Sequence, residues 1–334
     1  MKIKDYFIRI LKQGYRKVTR KQFLNPECDC NRQSSNDKVF ELLSSGRPCM
    51  ISRFGTTEIN CINNYLCIHN NRPFIKKCID YITDYTHTPW WNEDHFHIMN
   101  LWSGIFPEGK ITAEHFSERY LRDIPEIDLL VSHQYFEKFM PLRNDIPKIQ
   151  LEMLYPFFVE RPWTRCLKGK RVLVVHPFEN TIKQQYAKRE LLFENQEILP
   201  EFELITLKAV QTIAGNKSEF NDWFEALSFM EQQINNIEFD IALIGCGAYG
   251  LPLAAHVKRI GKQAVHMAGG TQLLFGILGK RWTEQYKDQK VWHYRPGIDI
   301  NLDYTSLFND SWSFPLDEDT PSFTSLVEDS CYWK

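Results

Sequence analysis

Short apolar runs alternate with helical spacing along the second half of this 334-residue chain. The runs span residues 171–178, 203–209, 239–244 and 263–267, and apolar residues recur at helical spacing across 223–237. Strands that alternate with helices are typical of βαβ units, in which helices cover both faces of a parallel sheet. The pattern therefore predicts an α/β fold, a Rossmann-like parallel sheet flanked by helices, with a mostly helical N-terminal part.

A glycine turn follows one of these predicted strands. Residues 245–250 read G-C-G-A-Y-G and precede a predicted helix. Such a turn lets a diphosphate approach the free N–H groups at a helix N-terminus. A dinucleotide site would also need an acid at the end of the next strand, where this chain has His266 and then small residues. The turn therefore favours a phosphorylated ligand over a nicotinamide cofactor, and tight helix–strand packing is the alternative role of the glycines.

Other candidate residues follow the remaining predicted strands. Because the carboxyl ends of parallel strands meet at one edge of the sheet, we expect these residues to share one crevice. His176 ends the run 171–178 and is a candidate for the reacting centre, although a hydrogen-bonded structural histidine is the alternative. The candidate contacts to a phosphorylated ligand are Gly245, Gly247, Tyr249, His266, Gly269, Gly270, Thr271, Gln272, Lys280 and Arg281.

An earlier predicted strand, 48–52, is followed by the segment R-F-G-T-T-E at residues 53–58. Helical spacing resumes after it, so Glu58 falls in the first turn of a helix capped by Thr56 or Thr57. The helix dipole favours a carboxylate there, which is the structural alternative to a catalytic role for Glu58. A loop over 25–37 and a short helix ended by Gly46 are expected upstream.

Seven aromatic residues between positions 81 and 106 fit neither a helical nor a strand period. They are interleaved with carboxylates and imidazoles, which suits a wall that binds sugar, and a small satellite core is the alternative. The candidate sugar-binding residues or general bases in this stretch are Trp90, Trp91, Glu93 and Asp94.

Charge is unevenly distributed along the chain. The formal net charge is −2, which argues against a nucleic-acid partner. Residues 1–22 nevertheless carry eight Lys/Arg and one acid, a balance of +7 that leaves −9 for the remainder. Apolar residues at helical spacing across 3–18 make this a basic amphipathic helix, which either lies on an anionic membrane surface or packs on its own domain.

The location is expected to be cytoplasmic, and peripheral at the membrane if the basic helix binds lipid. No run of eighteen apolar residues occurs, and the nine cysteines have no regular spacing that would indicate a disulfide framework. Four parts are expected: a basic helix at 1–24, an N-terminal α/β part at 25–160, a nucleotide-binding part at 161–298, and an acidic tail at 299–334. The tail is expected to wrap the surface or to be partly disordered.

Residues 53–58 resemble the R-F-G-D-G-E segment of bacterial GT-D-type glycosyltransferases. Residues 240–267 are similar to that family's late strand, glycine turn, helix and strand, and residues 100–107 and 270–277 resemble proteins of capsule and O-antigen gene clusters. The resemblance covers most of residues 40–285. It implies a Rossmann-like enzyme of surface-polysaccharide assembly that moves a sugar from a nucleoside diphosphate sugar to a glycan or lipid-linked acceptor.

The family's D-x-E motif assists metal and diphosphate, and this chain departs from it. Glu58 matches the glutamate, whereas Thr56 replaces the aspartate, so a Mg²⁺ or Mn²⁺ site at Glu58 lacks one charged ligand. Helix N-termini and Lys/Arg would then meet the charge of the leaving group, and Glu58 would act as the general base. Arg53, Glu58 and His176 are expected to face the reacting sugar, with Thr56 and Thr57 beside them.

Two other functions remain open from the sequence. One is a nucleotide-dependent enzyme of another class, an oxidoreductase or a phosphosugar transferase. The other is a non-catalytic sugar- or nucleotide-binding partner in an assembly complex. Homo-oligomerisation is compatible with each of them.

Overall fold

A parallel sheet of seven strands forms the centre of the protein. The computed structural model describes residues 3–20, 26–285 and 302–334. The strands are β1 Cys49–Arg53, β2 Leu129–Ser132, β3 Lys148–Gln150, β4 Arg171–His176, β5 Glu203–Lys208, β6 Ile241–Ile244 and β7 Gln263–His266. Their order across the sheet is β3-β2-β1-β7-β6-β4-β5, and every neighbouring pair is parallel. The predicted fold class is confirmed.

Helices cover both faces of this sheet. They are α1 Ile3–Thr19, α2 Arg32–Ser44, α3 Thr56–His69, α4 Phe74–Ile82, α5 Glu93–Ser103, α6 Lys110–Asp123, α7 Glu179–Tyr186, α8 Trp223–Asn235, α9 Gly250–Arg259 and α10 Gly270–Leu274. One apolar layer includes residues of α3, α6, α8 and α9, and the other includes residues of α2, α7 and α10. The inner strands read as continuous apolar runs because both of their faces are buried.

Pairing of β1 with β7 joins the first and the last strand of the described chain within one sheet. Cys49 lies opposite Gln263 and Ile51 lies opposite Val265. The Gln263 side-chain amide fastens the start of this seam by donating to the carbonyls of Leu43 (2.8 Å) and Arg47 (3.0 Å). The predicted parts on either side of residue 160 therefore share one sheet.

Several elements differ from the sequence-based expectation. Helix α2 begins inside the predicted loop 25–37, because the Asn31 side chain accepts a hydrogen bond from the Ser34 amide (2.9 Å) and caps it. Helix α3 begins after Gly55, so neither threonine caps it. Helix α5 forms within the aromatic-rich stretch, and the short strands β2 and β3 were not predicted. Tertiary contacts or a helix cap stabilise each of these elements. The spacing of apolar residues in the sequence reveals neither of them.

Residues 302–334 pack into the body of the protein and do not merely wrap its surface. The buried Asp319 carboxylate accepts hydrogen bonds from the amide (2.7 Å) and hydroxyl (2.6 Å) of Thr181 at the start of α7. Trp333 is also buried, within the same apolar layer as α7. Of the predicted acidic tail, residues 299–301 lie outside the described residues.

Ionic contacts hold helix α1 against Asp84, which follows the C-terminus of α4. Arg16 donates to both carboxylate oxygens of the buried Asp84 (2.7 and 2.6 Å), and the Lys12 ammonium lies 2.8 Å from the same carboxylate. Burial alone would raise the pKa of Asp84, but hydrogen bonds from Arg16 and Lys12 outweigh it and hold the pKa below its ordinary value. The described helices include none that is both long and apolar enough to cross a membrane.

We expect Asp84→Asn to loosen α1 without unfolding the sheet. Asparagine tolerates the left-handed backbone at this position (φ +58), but it cannot neutralise Arg16 and Lys12. Loss of a charged hydrogen-bond partner lowers the local free energy of opening by about 1.5–3 kcal/mol, so amide exchange across α1 accelerates roughly 10- to 100-fold. Hydrogen exchange read by mass spectrometry measures this. Asp80→Asn, which removes the ion-pair partner of Arg72 and lies within α4, four residues before Asp84, is the matched control. Unchanged exchange in α1 of Asp84→Asn would show that these ion pairs do not hold the helix.

Candidate functional site

A pocket of about 490 Å³ lies along the carboxyl edge of the sheet. All seven strands contribute to it, either through their last residue or through the segment that follows. Their contributions include Arg53 at the end of β1 and Glu58 after it, His133 after β2, Glu152 after β3, His176 at the end of β4, Thr212 after β5, Gly247 after β6 and His266 at the end of β7. Small-molecule sites are typically concave cavities of about 300–1,000 Å³ at this edge of an open α/β sheet. The predicted shared crevice is therefore present.

Arg53 brings an uncompensated positive charge to this pocket. Its guanidinium donates to the neighbouring Phe54 carbonyl (3.2 and 3.0 Å), and no carboxylate among the described residues pairs with it. After burial, the charge of Arg53 is the next cause that lowers the pKa of both His133 and His266. Arg53 therefore lies close to the carboxyl ends of β2 and β7. A guanidinium in this state is suited to a phosphate or carboxylate of a ligand.

Glu58 lies in the first turn of α3, as predicted, and is only 7% exposed. Its side chain folds back over Gly55 so closely that a Cβ added there would lie 1.8 Å from Oε2. Within the described chain the carboxylate has neither a hydrogen bond nor an ion pair, although it lines the pocket. It is thus available to accept a proton or a hydrogen bond from a ligand. Thr56 is at the exposed rim, where its hydroxyl accepts from Gln134 (2.8 Å).

His176 is a neutral hydrogen-bond donor at the wall of the pocket. Its Nδ1 accepts from the Phe178 amide (3.0 Å), so the ring proton resides on Nε2. Burial lowers the pKa of His176 to about 3. The predicted position of His176 in the crevice is therefore correct, and the ring serves as a neutral dipole at ordinary pH.

His266 is also buried and neutral. Its Nδ1 lies 3.1 Å from the Ser52 hydroxyl, which links the ends of β1 and β7. Burial, and then the charge of Arg53, lowers its pKa to about 3. Its Nε2 has no partner within the described chain and lies against Gly250, where an added Cβ would approach to 2.2 Å.

Gly245 and Gly247, which follow β6, require glycine for different reasons. A Cβ at Gly245 would lie 2.7 Å from the Ala268 carbonyl, the His176 ring and the Thr271 hydroxyl, so close packing excludes a side chain there. Gly247 has φ +56 and no atom within 4 Å of an added Cβ, so its backbone faces open space in the pocket. Tyr249 also lines the pocket, with its ring stacked on Trp223 at a centroid distance of 4.9 Å.

Aromatic residues outside the predicted list of contacts form much of the remaining wall, and one of them, Trp102, belongs to the aromatic-rich stretch 81–106. They are Trp102, Tyr120, Tyr155, Trp282, Tyr304, Tyr332 and Trp333. Three of them belong to residues 302–334, whose long-range packing has no local sequence signal. The one sequence feature that indicates an aromatic wall in this segment is the Tyr332-Trp333 pair within an acidic stretch. Such rings offer stacking surfaces for a base or a sugar.

Arg281 lines the pocket, but its positive charge is already paired with a carboxylate of the protein. It forms an ion pair with Glu328, donates to the Tyr332 hydroxyl (3.1 Å) and lies 4.6 Å from the centroid of that ring. Lys280 pairs with Asp329 (2.6 Å) and does not line the pocket. Of this predicted basic pair, Arg281 alone is brought to the site. Thr57, Gly269 and Gln272 line it as well.

The remaining candidates lie elsewhere. The Trp90 carbonyl accepts from Asn64 (3.1 Å), and the Trp91 indole donates to Glu114 (3.4 Å) while its side chain packs against the apolar layer of α3, α6, α8 and α9. Glu93 and Asp94 are exposed in the first turn of α5. The opposite end of that helix, at Trp102, reaches the pocket, and a rise of about 1.5 Å per residue separates the two ends by more than 10 Å.

Gly270 and Thr271 lie directly beneath the pocket wall and do not line it. The ring of Tyr155 covers Gly270, where an added Cβ would lie 2.4 Å from Cε1. Thr271 is fully buried.

The donor set around Glu58 does not fit a protein-held metal ion. A group of three or more His, Cys, Asp or Glu that could hold a metal is absent from the described ranges. Mg²⁺ and Mn²⁺ prefer several oxygen ligands, and residues 53–58 offer one carboxylate and two hydroxyls. Charge on a ligand would be met by Arg53 and by helix N-termini.

Two solved structures are similar to this chain. One is described as "The highly conserved domain of unknown function 1792 has a distinct glycosyltransferase fold"; it is 11% identical, with a TM-score of 0.34, and the match covers 86% of this chain and 96% of that chain. The other, a selenomethionine-substituted structure of the same domain, is 12% identical, with a TM-score of 0.34 and coverage of 93% and 96%. No family model and no curated protein matches the sequence. At this TM-score the two structures assign no role to any residue here.

We expect Gly245→Ala to destabilise the protein more than Gly247→Ala. The first change forces three contacts at 2.7 Å and costs up to about 3 kcal/mol, the upper part of the range for overpacking. The second adds only the strain of a left-handed backbone, about 1 kcal/mol. Urea unfolding at constant m-value measures both. Equal midpoints for the two variants would contradict the close packing at Gly245.

Acid should destabilise the fold through its buried histidines. His176 and His266 have pKa values of about 3 when folded and near 6.5 when unfolded, so the unfolded state binds more protons below pH 6.5. Each histidine therefore removes about 1.4 kcal/mol of stability per pH unit as the pH falls from 6.5 towards 3. Unfolding free energies between pH 7 and 5, with histidine ring signals followed by NMR, check this. A folded-state titration of either ring near its ordinary pKa would contradict it.

Proposed function

We propose that this protein is a glycosyltransferase that takes its sugar from a nucleoside diphosphate sugar. One observation supports the proposal above the others: an arginine and a glutamate, each without a charged partner in the described chain, line the same pocket at the carboxyl edge of the sheet. An enzyme that transfers a sugar needs a cation for the departing diphosphate and a base for the acceptor hydroxyl. Arg53 and Glu58 match these two needs.

The donor's diphosphate would lie between Arg53 and the turn after β6. Gly247 leaves its backbone accessible, and α9 begins three residues later, so the positive end of its dipole favours negative charge there. The rings of Trp282 and Tyr332 offer a stacking surface for the base. Since Glu328 already occupies Arg281, Arg53 is the cation that can meet the phosphate charge without a competing carboxylate.

The reaction would be a single displacement at the anomeric carbon. The acceptor hydroxyl oxygen forms the new C–O bond while the bond to the diphosphate breaks and its electron pair leaves with the nucleoside diphosphate. Glu58 takes the hydroxyl proton, and Arg53 stabilises the developing charge on the leaving group. His176, neutral with its proton on Nε2, donates a hydrogen bond without competing for the proton.

The acceptor is proposed to be a glycan or a lipid-linked glycan of surface-polysaccharide assembly. The resemblance of residues 100–107 and 270–277 to proteins of capsule and O-antigen gene clusters supports that assignment. Glu93, Asp94 and Trp91 lie outside the pocket, so acceptor contacts are assigned instead to its aromatic wall near Trp102 and Tyr155.

A panel of UDP, GDP, CMP and dTDP sugars, each with and without Mn²⁺, tests the ligand class by thermal shift. We expect one nucleotide class to stabilise the protein and to be consumed in a transfer assay. Stabilisation without transfer or hydrolysis would favour a non-catalytic binding protein. Absence of any nucleotide binding would overturn the proposal.

Glu58→Gln should retain donor binding and lose transfer. Removing a general base reduces turnover by roughly 100- to 10,000-fold, whereas Arg53→Gln should weaken donor binding by roughly 10- to 100-fold through a lost charged hydrogen bond. Isothermal titration of the nucleotide and initial transfer rates separate the two effects. Glu93→Gln, an exposed carboxylate outside the pocket, is the matched control and should leave both unchanged. Full transfer by Glu58→Gln would remove Glu58 from the mechanism.

A further inference from the structure

Helix α1 turns its apolar side away from the protein. Large apolar side chains along it are exposed, among them Phe7 (62%), Leu11 (57%) and Val18 (84%). A surface helix of a globular protein normally buries such residues and exposes its charges. The arrangement of α1 is the reverse of that rule.

Basic residues hold α1 in this orientation. Lys12 and Arg16 face the body of the protein, where both pair with Asp84. The Lys12 ammonium also lies 3.8 Å from the centroid of the Tyr81 ring, and the charge of Arg9 acts on the same tyrosine. Since residues 9, 12 and 16 share one side of a helix, the opposite side must point outwards. The sequence-based alternative, an apolar side packed on its own domain, does not describe α1.

Helix α4, which packs beside α1, is exposed in the same way. Phe74 (54%), Ile75 (74%) and Ile79 (53%) all face solvent. The two helices together form what we call the α1–α4 surface, defined by the exposed residues Tyr6, Phe7, Ile10, Leu11, Val18, Phe74, Ile75 and Ile79. Exposed apolar clusters of this kind mark sites of interaction.

The charges around this surface indicate what covers it. Lys17, Arg20 and Lys76 are exposed on or next to the two helices, and Asp5 is the one acid in the first 22 residues of the sequence. A second copy would bring the exposed Lys17, Arg20 and Lys76 of one chain against those of the other, which disfavours self-association. Apolar side chains bordered by Lys and Arg fit the boundary of an anionic membrane, where the rings and aliphatic chains enter and the cations meet the headgroups.

We propose that the α1–α4 surface docks this protein on an anionic membrane surface. The apolar side chains enter the boundary between headgroups and acyl chains, and Asp84 keeps α1 oriented so that they do so. This proposal stands independently of the sugar-transfer chemistry. If that chemistry is correct, docking also brings the pocket to a lipid-linked acceptor.

Vesicle co-sedimentation of the full chain tests the docking. We expect binding to vesicles of equal parts phosphatidylcholine and phosphatidylglycerol, weak binding to phosphatidylcholine alone, and weakening by salt. The double variant Phe7→Ser/Leu11→Ser should lose at least about tenfold in vesicle affinity, because it removes two inserting side chains from a fold that does not bury them. Lys17→Glu/Lys76→Glu should lose affinity for the anionic vesicles specifically.

Leu191→Ser is the matched control, since Leu191 is similarly exposed (63%) on a different element. It should bind vesicles like the unchanged protein. Docking through this surface is overturned if Phe7→Ser/Leu11→Ser binds anionic vesicles as well as Leu191→Ser does. It is also overturned if light scattering shows a dimer that this double variant abolishes, because the surface would then be an interface between copies. Nucleotide titration without vesicles should be equal in all variants, so failure of docking and failure of the proposed chemistry are distinguishable.

Discussion

Pairing of β1 with β7 is the interaction on which the rest of the structure depends. It places a strand from near residue 50 beside one from near residue 265 and so joins two strand groups into one sheet. Because all seven strands are parallel, their carboxyl ends then share one edge and one pocket. The Ser52–His266 contact lies at the pocket end of this seam and the Gln263 amide at the other. Without the seam, Arg53 and Gly247 would belong to separate units.

The electrostatics of the pocket follow from the same packing. Histidines that end β4 and β7 are buried so deeply that they remain neutral, and Arg281 is neutralised by Glu328. Arg53 is thereby left as the lining cation that has no ion pair among the described residues, in a pocket that the Glu58 and Glu152 carboxylates also line. A single uncompensated cation in a partly dry cleft attracts an anion more strongly than one that shares its charge. Because the buried histidines are neutral, the positive electrostatic field of the site arises from one side chain, Arg53.

Apolar runs predicted the strands that are buried on both faces, such as Arg171–His176 and Ile241–Ile244, because residues 172–175 and 241–244 are all hydrophobic. Strand Lys148–Gln150 has three residues at the edge of the sheet, too few for periodicity to detect. Candidate residues at strand ends were placed correctly since parallel topology alone brings them together. Trp90 and Glu93 were not placed correctly, because no local sequence pattern shows that the other end of α5 is the one that reaches the pocket. The aromatic wall near Trp333 depends on contacts such as Thr181 with Asp319, which lie far apart in the chain.

The wall formed by residues 327–333 has a consequence for biosynthesis. These residues leave the ribosome after all seven strands and after Arg53, Glu58 and the glycine turn have emerged. At roughly 5–20 residues per second, the interval between the end of β7 and Trp333 is about 3–13 seconds. During that time the carboxyl edge of the sheet lacks its Tyr332 and Trp333 cover, and the apolar layer beneath faces water. The nascent chain therefore passes through a stage in which the sheet can pair but the pocket has not closed.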